Sequence, residues 1–267
     1  MTSTELAEVI FLGVVQGIAE FLPISSSGHL VLIQQLVGLT VAVGDDSAAG
    51  LRLNVALHCG TLMSILAVYH HDIWRLRKDQ ALWIAIVCAT CPVAVVGLLF
   101  KSTLESTFQN PLVASCGLML TALMLLICQR VERGTVDLSR FAVSAALVVG
   151  VFQSLAIVPG VSRSGSTITG GLVMGLNRHD AARFSFLIAM PAIGGAAVLY
   201  AWDLVARGGI ASSDAVLPML IGTLTSFVVG WIALRWLLAF LARGRLQWFA
   251  AYCFAVGALS AVWEWLA

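Results

Sequence analysis

GVVQGIAEFLPISSSG, residues 13–28, comes back without a gap as GVFQSLAIVPGVSRSG, residues 150–165, with seven of the sixteen positions identical. The matches are Gly13 with Gly150, Val14 with Val151, Gln16 with Gln153, Ala19 with Ala156, Ser25 with Ser162, Ser27 with Ser164 and Gly28 with Gly165. Self-similarity at a fixed offset reads as duplication of a structural unit, here about residues 1–135 and about 136–267 of a single integral membrane domain. Each copy joins an apolar limb to a proline and then to a serine- and glycine-rich run. Such a run breaks a helix and lets the chain turn back.

The chain around these copies is that of a lipid-embedded protein. Of its 267 residues, 60% are hydrophobic and 11% charged, against about one quarter charged in soluble domains. Apolar runs at 53–69, 81–100, 111–129, 184–204, 214–241 and 247–267 approach the ~20 residues that cross a ~30 Å hydrocarbon core. They are apolar on every face, which excludes the alternation of a membrane barrel. The expected fold is an all-α polytopic membrane protein with about six full transmembrane helices. A net charge of +1 offers nothing to nucleic acid. The six cysteines, including the C-x-x-C of Cys88 and Cys91, lie in or beside apolar runs and read as core thiols. Residues 1–10 contain Glu5 and Glu8 and no basic residue, the reverse of the start of a cleavable signal peptide.

Basic residues gather in four connections: Arg75, Arg77 and Lys78; Arg130, Arg133 and Arg140; Arg178 and Arg183; Arg243 and Arg245. The positive-inside rule makes these cytoplasmic, and puts Arg52, Lys101 and Arg207, one to a connection, outside. Segment 141–176 must then leave and rejoin the inner face, while residues 1–50 start and finish outside. Each is expected to form a re-entrant helical hairpin, turning at LPISSSG and at PGVSRSGS. The two enter from opposite faces, the pattern of an inverted-topology repeat.

The copies differ where charge appears. Glu20 faces Ile157, Ser26 faces Arg163 and His29 faces Ser166, so each ionisable residue has a neutral counterpart. If the hairpin tips meet, a carboxylate and an imidazole from one half confront a guanidinium from the other. An unpaired charge in hydrocarbon costs several kcal/mol, so Glu20 and Arg163 need partners or water. The planar fork of Arg163 suits phosphate oxygens, and the amides at helix starts favour anions. Gln16 and Glu20 share a helical face and, with phosphate, offer the oxygens that Mg²⁺ or Ca²⁺ takes. His29 could move a proton near neutral pH, and a serine hydroxyl could attack phosphorus. Blander readings compete: serines in membrane helices ordinarily bond neighbouring carbonyls, His29 could simply brace its hairpin, and Glu20 with Arg163 could be a buried salt bridge. The other function class is a carrier, since broken helices at the midplane also build transporters. The combination of Glu, His and Ser favours catalysis, because passive binding does not require it.

QGIAEFLPISSSGHL and PGVSRSGSTITGG closely resemble the two signature motifs of the undecaprenyl-diphosphate phosphatase family, bacterial membrane enzymes also known as bacitracin-resistance proteins. VALHCGTL at 55–62 and FSFLIAMP at 184–191 extend the resemblance nearly end to end. The family's Glu-or-Gln followed four residues later by Glu falls on Gln16 and Glu20. Its serine–histidine stretch falls on Ser25, Ser26 and His29, and its P-G-x-S-R-S-G on Pro159 to Gly165. The resemblance implies hydrolysis of undecaprenyl diphosphate, recycling the lipid carrier for peptidoglycan synthesis. It implies catalytic roles for Glu20, Ser26, His29 and Arg163, and phosphate binding by Ser25, Ser27, Ser162, Arg163 and Ser164. It also implies Mg²⁺ or Ca²⁺ on Gln16 and Glu20, and a homodimer in the inner membrane with the active site on the periplasmic side, where the basic connections also put both termini. Many members carry Glu at the position of Gln16, so this chain has one anionic ligand fewer.

Overall fold

The computed structural model describes residues 2–37, 48–76, 78–100, 107, 110–131, 134–206, 216–241, 244 and 246–266. Arg77, Lys101, Arg133, Arg207, Arg243 and Arg245 of the loop assignment lie outside them. The described residues form α1 (Ser3–Ala19), α2 (Ser26–Val37), α3 (Ala48–Leu76), α4 (Gln80–Leu99), α5 (Pro111–Val131), α6 (Val143–Leu155), α7 (Arg163–Val173), α8 (Arg178–Ala206), α9 (Val216–Leu241) and α10 (Gln247–Leu266), with one 3₁₀ turn at Leu138–Arg140. Among them are no β-strands. Helices α3, α4, α5, α8, α9 and α10 are long and apolar enough to cross a membrane, and the chain is an all-α polytopic membrane protein. The apolar runs predict these six, but α3 continues to Leu76 and α8 starts at Arg178, because helical hydrogen bonding persists where the composition turns polar.

The other four helices form two pairs of short limbs. At about 1.5 Å per residue, α6 and α7 are roughly 20 and 17 Å long, well short of a ~30 Å core. The second pair closes on itself. The Val136 amide donates to the Gly175 carbonyl at 3.0 Å and the Asn177 amide to the Val136 carbonyl at 3.1 Å, while the Leu138 amide donates to the Asp180 carboxylate at 2.9 Å. The chain therefore departs from and returns to one point.

The turning points differ from the sequence expectation. Ser26–Gly28 and Arg163–Ser166 are not loop but the first turns of α2 and α7, and the breaks occupy residues 20–25 and 156–162. The reason is capping: in S-x-S-G the first serine accepts a hydrogen bond from the glycine amide three residues on, which starts a helix.

Small residues set the packing, as expected where lipid removes the hydrophobic force between helices. Helix α1 lies along α9 and α6 along α4. At the corresponding glycines of the repeat, an added Cβ would stand 2.8 Å from Thr225 Cβ at Gly13 and 2.5 Å from the Ala89 carbonyl at Gly150. Helix α8 runs through the centre among α3, α4 and α7, and its stretch Phe184–Ala189 is inaccessible. Cys128 and Cys253 are core thiols, but Cys91 and Cys116 are exposed, since an apolar helix facing lipid can turn a thiol outward.

Candidate active site

The two breaks interlock, and the contacts respect the offset of the repeat. A Cβ on Gly28 would meet Gly160 Cα at 2.8 Å, and one on Gly165 would meet Pro23 Cβ at 3.3 Å. Each S-x-S-G run is built alike. Ser25 Oγ accepts from the Gly28 amide at 3.2 Å and lies 3.3 Å from Ser27 Oγ. Ser162 Oγ accepts from the Gly165 amide at 3.1 Å and lies 3.2 Å from Ser164 Oγ. Ser164 Oγ also donates to the Leu22 carbonyl at 3.1 Å, tying one break to the other. Ser25 holds a left-handed backbone, φ 69°, a conformation costing a non-glycine residue roughly 1–2 kcal/mol. The crossing and the cap hold it there.

At this crossing stands Glu20, the C-terminal cap of α1. Its carboxylate accepts from three side chains: Arg163 Nη2 on Oε1 at 2.9 Å, and Ser26 Oγ at 2.8 Å and Gln16 Nε2 at 3.1 Å on Oε2. The side chains of Arg163 and Glu20 are 15% and 7% exposed, so each charge is compensated chiefly by the other and by hydrogen bonds rather than by water. Arg163 uses only part of its fork. Its Nε and Nη1 are buried without acceptors among the described residues, and its guanidinium lies 5.7 Å from the centre of the Phe186 ring. A cation over an aromatic face with open donors is suited to an anion.

Gln16, Glu20, Ser26 and Arg163 are thus brought together. Ser25, Ser27, Ser162 and Ser164 shape the two breaks and join no bond to the Glu20 carboxylate. His29 stands apart: Nδ1 meets the Ser25 carbonyl at 2.7 Å, and Nε2 meets Tyr252 Oη at 2.7 Å. His58 bonds the Asn54 carbonyl at 3.0 Å. Sequence reasoning missed three supports. Phe186 lies beneath Arg163, Tyr252 faces His29, and Thr121 braces the second break, its hydroxyl accepting from the Ser162 amide at 2.9 Å and donating to the Gly160 carbonyl at 3.0 Å. The burial of FSFLIAMP could have flagged Phe186; nothing local marks Tyr252 or Thr121.

The donor set can be tested for a divalent cation. Gln16 Oε1 is buried with no hydrogen-bond partner among the described residues, on the helical face that carries Glu20, whose carboxylate the Gln16 amide nitrogen meets at 3.1 Å. Both are hard oxygen donors, and among the described residues no cluster of three His, Cys, Asp or Glu exists to form a complete protein cage. Two protein oxygens with the remainder from phosphate and water is the usual coordination of Mg²⁺ at phosphate sites. The residues fit such an ion.

Residues 9–259 match the family described as Bacitracin resistance protein BacA. The chain is 43% identical over 258 residues to a protein named undecaprenyl-diphosphatase from Rhodopirellula baltica, with 96% of each chain covered. A protein of the same name from Rubrobacter xylanophilus is 39% identical over 272 residues, covering 96% of this chain and 97% of that one. Another, from Methanobrevibacter smithii, is 36% identical over 277 residues, with 95% of both covered.

Proposed function

The chain belongs to the bacitracin resistance protein BacA family, and from that premise we propose that it hydrolyses undecaprenyl diphosphate to undecaprenyl phosphate and inorganic phosphate. The observation that carries the reading to these residues is the buried Arg163 guanidinium, fixed by Glu20 through one nitrogen while Nε and Nη1 remain without acceptors among the described residues. A terminal phosphate supplies the oxygens these donors lack, and the adjacent starts of α2 and α7 favour its charge.

Ser26 is the hydroxyl whose proton already has a carboxylate acceptor, Glu20 Oε2 at 2.8 Å, the arrangement of a nucleophile beside its base. Its Oγ attacks the terminal phosphorus. The Oγ–P bond forms as the bond from that phosphorus to the bridging oxygen breaks, the serine proton passes to Glu20, and undecaprenyl phosphate departs. Water then attacks the phosphoserine: its oxygen bonds to phosphorus as the Oγ–P bond breaks, and Glu20 returns the proton to Ser26 Oγ. Inorganic phosphate departs, and His29, one turn further along α2, is the group able to take the proton the water loses. Arg163 stabilises the charge on the transferred group at both stages. Ser25, Ser27, Ser162 and Ser164 keep the helix starts aimed at the phosphate. Glu20 and Gln16 Oε1 would hold Mg²⁺ or Ca²⁺, which when bound supplies neutralisation of the diphosphate charge.

The same reading places the protein in the bacterial inner membrane as a homodimer, recycling the carrier for peptidoglycan synthesis. The α1–α2 and α6–α7 pairs are re-entrant from opposite faces, the site opens to the periplasm, and both termini lie on that side. The basic connections and the shortness of the limbs support this placement.

The test is phosphate release from undecaprenyl diphosphate by purified protein in detergent with Mg²⁺ or Ca²⁺, alongside the mass of the detergent-extracted particle. No gradient exists there, so a carrier would release no phosphate. Folded protein that releases none with either cation would sink the phosphatase reading.

A further inference from the structure

We infer that Tyr252, on α10, is the positioning residue for His29, holding the imidazole through the nitrogen that faces away from its own helix. The inference rests on the proposed role of His29 and names a residue that neither signature motif contains. Its basis is geometric. Nδ1 of His29 lies 2.7 Å from the Ser25 carbonyl oxygen. A carbonyl only accepts, so Nδ1 carries a proton in every charge state of the ring. The exchangeable site is therefore Nε2, which meets Tyr252 Oη at 2.7 Å. The two ring planes are nearly parallel, 3° apart with centroids 5.5 Å apart, so the contact holds the imidazole both by its Nε2 and by the orientation of its plane.

A phenol both donates and accepts. It donates a hydrogen bond to the lone pair of neutral His29 and accepts one from Nε2–H once the ring is charged. Tyr252 is itself held by packing: its ring lines an apolar groove of about 610 Å³ with Leu22, Ile24, Trp248 and Phe249. The corresponding position of the other repeat shows what is special. Ser166 makes the equivalent bond to the carbonyl four residues back, at 2.8 Å from the Ser162 oxygen, and has no second nitrogen to hold. The tyrosine thus serves the one half in which this position has become titratable.

The test uses the full chain in detergent and three variants: Tyr252→Phe, which keeps the ring and removes only the hydroxyl, His29→Ala, and the two together. Each is measured for kcat and KM on undecaprenyl diphosphate and for thermal stability. Tyr252→Phe is expected to stay folded and lose roughly 10- to 100-fold in kcat with KM little changed, the scale for removing a group that orients a functional histidine. In the double variant the phenylalanine should cost nothing beyond His29→Ala, because its effect runs through the imidazole. With ¹⁵N-labelled histidine, the Nε2 resonance should move toward that of an imidazole nitrogen lacking a hydrogen bond, a change that loss of packing alone would not give. Wild-type kcat in Tyr252→Phe, or losses that simply multiply in the double variant, would overturn the inference while leaving the phosphatase reading intact. Wild-type activity in His29→Ala would instead remove the proposed role of His29, and the inference with it.

Discussion

Ser26 and Arg163 hold the same place in the repeat, each the first residue of a short helix, and both reach Glu20: the hydroxyl takes one carboxylate oxygen at 2.8 Å and the guanidinium the other at 2.9 Å. Crossing two similar breaks brings two similar positions to one point. What differs is the chemistry, a small hydroxyl from one side and a charged fork from the other. A symmetric scaffold therefore delivers an asymmetric pair to a single carboxylate.

Glu20→Gln removes the charge that accepts the Ser26 hydrogen bond and pairs with Arg163 while keeping the shape. Turnover is expected to fall by ~10² or more. Thermal stability should fall as well, because Arg163 is left as a buried, uncompensated charge. A well-folded variant with normal turnover would exclude Glu20 from the chemistry.

Arg163→Lys separates a phosphate clamp from a structural salt bridge. An ammonium preserves opposite charge toward Glu20 but not the several donors of the planar fork. The expected outcome is a folded protein whose kcat/KM drops by an equivalent of about 2–4 kcal/mol. Near-normal catalysis would mean that the pair serves structure alone.

Gln16→Glu sets a second carboxylate against the first, since the Gln16 amide nitrogen is 3.1 Å from Glu20 Oε2. Two carboxylates at that separation repel unless a cation or proton lies between them. In EDTA the melting temperature should fall below that of the unsubstituted protein, and Mg²⁺ or Ca²⁺ should restore it. The divalent concentration for half-maximal phosphate release should fall too. A melting temperature indifferent to divalent ions in both proteins would argue against a cation at this pair.

Gly28→Ala tests the crossing itself, because its Cβ would lie 2.8 Å from Gly160 Cα in the opposite break. Backbone cannot give way as a side-chain tip can, so a cost of about 1–3 kcal/mol in stability is expected, with a loss of turnover as the breaks are pushed apart. Gly195→Ala is the control: apart from its own helical turn, no atom of the described residues lies within 4 Å of its added Cβ, and helix propensity alone should make it neutral or slightly stabilising. Equal effects from both would show that the crossing is not under steric constraint.

Membrane orientation is tested with single cysteines in a background without native thiols. Ten basic residues fall in the connections assigned inside and three in those assigned outside. Asn110→Cys, between α4 and α5, should react with an impermeant thiol reagent in intact cells, and Arg75→Cys should react only after lysis. The reverse pattern would turn the protein over and move the proposed site to the cytoplasmic side.

Sequence by itself determined the helical class, the six long helices and the two breaks, because a bilayer forces a span to be both apolar and about 20 residues long. It also singled out Glu20, Ser26 and Arg163, since a repeat makes departures visible position by position. The tertiary structure alone decided that Ser26 and Arg163 converge on Glu20, that the flanking serines cap helices, and that His29 turns to Tyr252, 223 residues away. Capping depends on where the backbone stops being extended, and a contact between α2 and α10 depends on how several helices pack. The apolar pattern says which residues lie in the bilayer, but in lipid nearly every face of such a helix is apolar, so it does not say which neighbour each face meets. Phe186 beneath Arg163 belongs to the same class: its burial could be expected from the stretch around it, and its partner could not.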